Sequence, residues 1–259
     1  MSDIFQPLLE AVKESTKSEI YTAIPCIVVA SDRDASDMIV TIQPTINKRK
    51  EDGTVAEYPI IQGVPVCFPV SDNAGMTFPI NPGKTTGLAI FSMRSIEAWK
   101  SGNGKPAAPM NQAKLDKSDA IFIPGIMPQG NSVNNPAKHV YEHSTKDVAI
   151  FNNLGTSNEV EIRLKQDGSV IINAGNKLVE VNCGDATVNA VSSVNVNAPE
   201  MTVDVANTLW IGNIQVQGNI VQTGNYTLTG AATFNGIPFD THKHIGVTPG
   251  PGTTGGPTA

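Results

Sequence analysis

From Tyr21 onward the chain is built of short apolar runs, most of them rich in β-branched residues, separated by Pro and Gly clusters. They read IPCIVVA (24–30), DMIVTIQP (37–44), VPVCFPV (64–70), TGLAIFS (86–92) and DAIFIPG (119–125). Five such runs within about 100 residues predict a small Greek-key barrel such as an OB-fold over residues 21–125. A helix-like stretch, Met93–Lys100 with Trp99, is expected to plug or flank that barrel. Ahead of it, residues 3–18 suit a short amphipathic helix. Asp3 is placed to cap it, and Ile4, Leu8 and Val12 share one face, so residues 1–20 read as a helical arm.

Residues 126–150 read as a polar connector containing Pro and Asn, with side chains facing solvent. EVEIRLKQDGSVIINAG (159–175) then predicts a hairpin turning at Asp167-Gly168. Beyond it valine alternates with Asn, Asp or Glu at Val179-Glu-Val181, Val188-Asn-Ala190, Val194-Asn-Val196 and Val203-Asp-Val205. Glycine next recurs every six residues, at Gly212, Gly218, Gly224, Gly230 and Gly236. A fixed period this short predicts extended segments separated by corners that glycine turns at low cost. Each segment is too short to bury its apolar edge alone, and winding with identical copies is the remedy. Residues 151–238 therefore read as an intertwined β-helix in a homo-oligomer.

His242 stands where a sixth glycine is due, followed by Lys243 and His244. Residues two apart on a strand point the same way, so both imidazoles project from one edge. Three copies meeting on a threefold axis bring six nitrogens to one point, which suits an octahedral metal better than four-coordinate zinc. Iron fits best, with nickel and cobalt chemically admissible. Protein would fill every position, so the ion is expected to be structural and the protein not an enzyme.

Composition narrows the picture further. Aromatics make up 5% and charged residues 16%, which suits thin stacked strands better than a bulky helix-packed interior. The net charge of −6 and pI near 5.2 argue against nucleic acid as a partner. The one basic cluster, Lys48-Arg49-Lys50, precedes Glu51-Asp52-Gly53 and reads as a solvated hairpin tip. Cys26, Cys67 and Cys183 follow no metal spacing and are expected to be small buried apolar residues in a chain made in a reducing compartment. The N-terminal stretch lacks the pattern of a signal peptide, and no run reaches the ~18 apolar residues of a membrane span.

Other motifs weigh less. His139-Val140-Tyr141-Glu142-His143 spells H-x-x-E-H, but that motif needs a helix, and Pro136 with β-branched and aromatic residues denies it one. Gly83-Lys84-Thr85 lacks the earlier glycine of a phosphate loop, having Phe78 there, and a strand follows it. Of the residues before the glycines, only Ile211 is the aliphatic that left-handed β-helix acyltransferases place there; Gln217, Thr223, Thr229 and Asn235 are not. Asp32, Asp34 and Asp37 crowd one polar loop that reads as solvated.

YPIIQGVPVCFPV (58–70), MTFPINPGKTTGLAIFSMRSIEAWKSG (76–102), KSDAIFIPGIMP (117–128) and FDTHKHIGVTPGPGTTGGP (239–257) carry a resemblance. They closely resemble, in order, the central membrane-piercing spike of contractile-tailed bacteriophages. The resemblance implies an all-β homotrimer: an OB-fold attached to the tail tube or hub, then an intertwined trimeric β-helix. The apex, residues 239–259, would bind one iron ion per trimer through His242 and His244. Such a protein is made in the host cytoplasm and sits in the virion at the baseplate tip. There it pierces, without spanning, the host outer membrane. Some relatives carry a lysozyme domain, for which residues 126–150 leave no room; some hold calcium or chloride in the needle, at positions this sequence does not mark. The alternatives are a spike of a type VI secretion or tailocin device, or an OB-fold binding module. The latter would need exposed aromatics on the barrel, which the sequence scarcely offers.

Overall fold

The computed structural model describes residues 5–7, 9–10, 20–31, 38–50, 52–239, 241, 246 and 250. The chain divides into two units, Met1–Gly184 and Asp185–Ala259, each described by itself. Residues 5–7 and 9–10 are helical, within the predicted arm.

The first unit holds five barrel strands: β1 (Ala23–Ala30), β2 (Ile39–Pro44), β5 (Ile61–Pro65), β6 (Thr86–Phe91) and β7 (Ala120–Pro124). They pair antiparallel in the order β5-β2-β1-β6-β7. A parallel bridge between Val66 and Phe122 brings the two outer strands together. This is the order and closure of a five-stranded, partly open Greek-key barrel of the OB type. Four of the five predicted runs match their strands within two residues. The fifth begins earlier, at Ile61, and Pro65 ends it.

Alternation decides the barrel core. Cys26 and Val28, Val40 and Ile42, Ala89 and Phe91, and Ala120 and Phe122 lie two apart on their strands and face one interior with Ile61, Val64, Val66 and Phe68. Gly87 makes room for the Phe122 ring, because a Cβ there would sit 2.7 Å from it and 2.3 Å from the Ile123 carbonyl. β3 (Lys48–Arg49) and β4 (Val55–Ala56) form the expected solvated hairpin. Of the two placements expected for Met93–Lys100, plugging or flanking the barrel, it takes the second: it contains one helical turn, Glu97–Lys100, Trp99 is half exposed, and the Ile96 amide donates to Asp119 Oδ1 at 2.9 Å just ahead of β7. One expectation fails in part. Cys26 is buried as expected, but Cys67 and Cys183 are exposed, since both lie off the inward-facing positions of any strand.

Later in the same unit, β8 (Val148–Asn152), β9 (Val160–Leu164) and β10 (Val170–Asn173) form an antiparallel sheet in the order β10-β9-β8. The β9–β10 turn is the predicted Asp167-Gly168. Asp167 Oδ1 accepts from the Ser169 amide at 2.9 Å, and Gly168 takes a φ of 87°. In the second unit the strands among the described residues are β11 (Thr233–Phe234) and β12 (Ile237–Pro238), joined by Asn235-Gly236. Both turn residues have positive φ, 51° and 78°, as a tight hairpin requires.

Candidate functional sites: a buried histidine cluster and an uncovered aliphatic face

The connector carries an unexpected polar core. Asn135 caps the turn Pro136–Lys138, its Oδ1 accepting from the Ala137 amide at 3.1 Å, and this turn delivers His139 inward. His139 Nδ1 lies 3.0 Å from Glu159 Oε1, and Nε2 lies 2.9 Å from the Val133 carbonyl. Both side chains are fully buried. Glu159 Oε2 accepts from the amides of Val140 at 3.0 Å and Gly155 at 2.7 Å. Burial alone would raise the Glu159 carboxyl, but these amides and His139 outweigh it and hold it below the usual carboxylate range. Both ring nitrogens of His139 thus lie within hydrogen-bond reach of an acceptor, one a carboxylate and the other a backbone carbonyl.

His143 stacks on His139, ring centroids 3.8 Å apart and planes within 5°. Phe151 of β8 meets the His139 ring edge-on at 5.0 Å. His143 Nε2 lies 2.9 Å from Asn134 Oδ1. Burial, and then the charge on His139, hold His143 below its ordinary value, which keeps it neutral.

From β9, Glu161 and Arg163 add buried charge. Asn173 of β10 donates to Glu161 Oε1 at 2.7 Å, and Arg163 Nε lies 3.7 Å from Asp147 Oδ2 and 4.0 Å from Glu161 Oε1. The expectation that the 126–150 side chains face solvent is therefore corrected for both histidines. His143 finds its partner, Asn134, within the connector, but the carboxylate facing His139, Glu159, comes from twenty residues further along the chain, so no local pattern in the connector announces it.

Three buried atoms, His143 Nδ1, Glu161 Oε2 and Arg163 Nε, have no hydrogen-bond partner. Ligand atoms of His139, His143 and Glu161 also lie within 4.8 Å of one another, as a metal site would require. The stacking argues against one. A metal binds in the plane of an imidazole, at about 2.1 Å from nitrogen. Two parallel rings nearly 4 Å apart cannot both aim a lone pair at the same ion. His139 also has both nitrogens engaged, and Arg163 adds positive charge close by. As held, this is a charged structural cluster. It is also no inverted zinc-peptidase motif, because the helix preceding it is the three-residue turn Pro136–Lys138.

The other face of the same sheet is aliphatic and uncovered. Val148, Leu164 and Val170 align in one row across the strands, and Ile150, Ile162 and Ile172 in the next. All six are exposed, while Glu161 and Arg163 point to the buried side. The alternation is inverted relative to a sheet that buries its apolar face within its own chain.

Beyond β10 the alternating valines Val179, Val181, Val188, Val194, Val196, Val203 and Val205 are all exposed. No strand is paired among the described residues between Ala174 and Ala232. The glycine period does appear in the backbone: Gly212, Gly218, Gly224 and Gly230 have φ of 122°, 145°, 118° and 130°. A Cβ at any of them would meet nothing within 4 Å, so glycine is required there by conformation and not by space.

His242 and His244 lie outside the described residues, as do Asp32, Asp34 and Asp37. Gly83-Lys84-Thr85 forms a turn, with the Gly83 amide donating to the Val28 carbonyl, and leads into β6 and not into a helix.

The barrel thus defines an OB-type domain. Residues 24–125 match the family model for the phage protein Gp138 N-terminal domain, which points to a phage structural protein. No curated protein matches the chain.

Proposed function

We propose that this chain is the central spike of a contractile-tail baseplate, a homotrimer that breaches the host outer membrane as the tail contracts. The observation that carries the reading is the bare aliphatic face of β8–β10, continued by a valine-alternating segment without strand partners of its own. Six large aliphatics in register on one face need a cover, and the same pattern on identical copies supplies one. The glycine corners beyond it suit a wound rod, and the phage-type barrel suits attachment to the tail.

For a piercing rod, strands interlocked between chains leave no free edge at which unfolding starts. His242 and His244 of each chain would hold one iron ion where the three ends converge. The donor set fits in kind, since each chain offers two imidazoles two residues apart. Bound there, the ion ties chain ends that would otherwise fray.

Solution mass combined with elemental analysis tests the proposal. The expected result is three chains per particle and one iron per three chains. His242→Ala with His244→Ala should abolish the metal and leave the trimer intact. A monomeric mass would overturn the reading, and iron undiminished in the double variant would overturn the apex assignment.

A further inference from the structure

The buried histidine pair sits apart from anything the spike reading uses, and every group in it belongs to one chain. We propose that the His139–His143 stack is an acid-sensitive latch. It holds the connector Val133–His143 on the polar face of β8–β10 at neutral pH and releases it when His143 takes up a proton.

The groups facing the pair set the balance. On the connector, His139 Nδ1 faces Glu159 Oε1 and its Nε2 faces the Val133 carbonyl, while Asn134 Oδ1 accepts from His143 Nε2. From the sheet and its approaches come Asp147, Glu161 and Arg163, with Phe151 edge-on to both rings. With Asn134 accepting, His143 Nε2 carries the hydrogen and Nδ1 is the free lone pair, buried and without a partner. A proton arriving at Nδ1 makes His143 a buried cation, its ring centroid 3.8 Å from that of His139, in a cluster that already holds the Arg163 guanidinium. Glu161 and Asp147 favour that proton; burial, His139 and Arg163 oppose it, and the opposing set is the stronger.

The sign follows from this. His143 binds its proton less readily folded than unfolded. Its contribution to stability is fully present above the unfolded value of about 6.5 and lost as pH falls toward the lower folded value, by up to about tenfold in the opening equilibrium per pH unit. Glu159 remains ionised in that window, because its own loss comes only below the ordinary carboxylate range.

Hydrogen–deuterium exchange on the full chain reads the latch at the amides of Val140 and Gly155, which donate to Glu159. Between about pH 7.5 and pH 5, corrected for intrinsic exchange, their protection should fall about tenfold or more, while barrel amides such as Ile42 hold theirs. His143→Phe keeps a stacking ring that cannot be protonated, and its protection should be independent of pH. Unchanged protection in the natural chain, or the same acid loss in the variant, would overturn the proposal. Should the variant not fold, histidine NMR of the natural chain decides. Titration of His143 below about 6.5 together with loss of connector protection supports the latch, and loss without that titration overturns it. A monomeric chain would defeat the spike reading and leave this test intact.

Discussion

Replacing Ile162 with aspartate separates folding from assembly. Ile162 is the central residue of its row, flanked by Ile150 on β8 and Ile172 on β10. It is 45% exposed in the single chain, so an aspartate there meets water, and chain stability should change by no more than about 0.5 kcal/mol. Between chains the cost is larger. Fully burying an isoleucine is worth about 1.5–3 kcal/mol, and roughly half remains to be gained, so about 1 kcal/mol per chain is lost. Over three chains that is about 3 kcal/mol, or about two orders of magnitude in the assembly constant. Burying three carboxylates at one level adds several kcal/mol more. Sedimentation equilibrium at micromolar concentration should find Ile162→Asp dissociated, with a far-ultraviolet spectrum still rich in β-structure. Val55→Asp, at an exposed aliphatic on β4 outside this sheet, is the control and should assemble normally. An Ile162→Asp variant that assembles as tightly as the natural chain would refute the claim that this face is covered by other copies.

Further outcomes are expected elsewhere. Glu159→Gln replaces the buried carboxylate that accepts from the Val140 and Gly155 amides and faces His139, and should lower the stability of the first unit by about 1–3 kcal/mol, read as a fall in the urea midpoint. Gly218→Val forces a β-branched residue to a φ of 145° and should cost about 1–3 kcal/mol per chain, lowering the melting temperature of the assembly. Cys26, with its thiol pushed up to about 11 by burial, should resist alkylation near neutral pH until the chain is denatured.

The barrel was legible because its strands bury one side against their own neighbours, so alternation in IVVA or AIFIP translates directly into inside and outside. The same logic misleads in VEIRL. Alternation there says that Glu161 and Arg163 share a side opposite Val160, Ile162 and Leu164, but not which side meets water. The buried side proved to be the charged one, because the connector's histidines and Asp147 cover it. Charges at alternate positions, followed by Asn173 on the paired strand, were the available signal. The connector looked solvated because the carboxylate that faces His139 comes from Glu159, twenty residues further on, and the sheet that covers both rings follows the connector in the chain. The glycine recurrence was fully legible, since a positive φ selects its residue without help from tertiary contacts.

That recurrence also fixes a unit of length. Removing Gly218–Thr223 as a block leaves glycine at every bend, whereas removing Gly218–Ile220 would carry Val221 and Thr227 to left-handed corners that β-branched residues scarcely tolerate. A segment built this way can be shortened or extended without strain only in whole multiples of six, much as a ruler is cut at its marks.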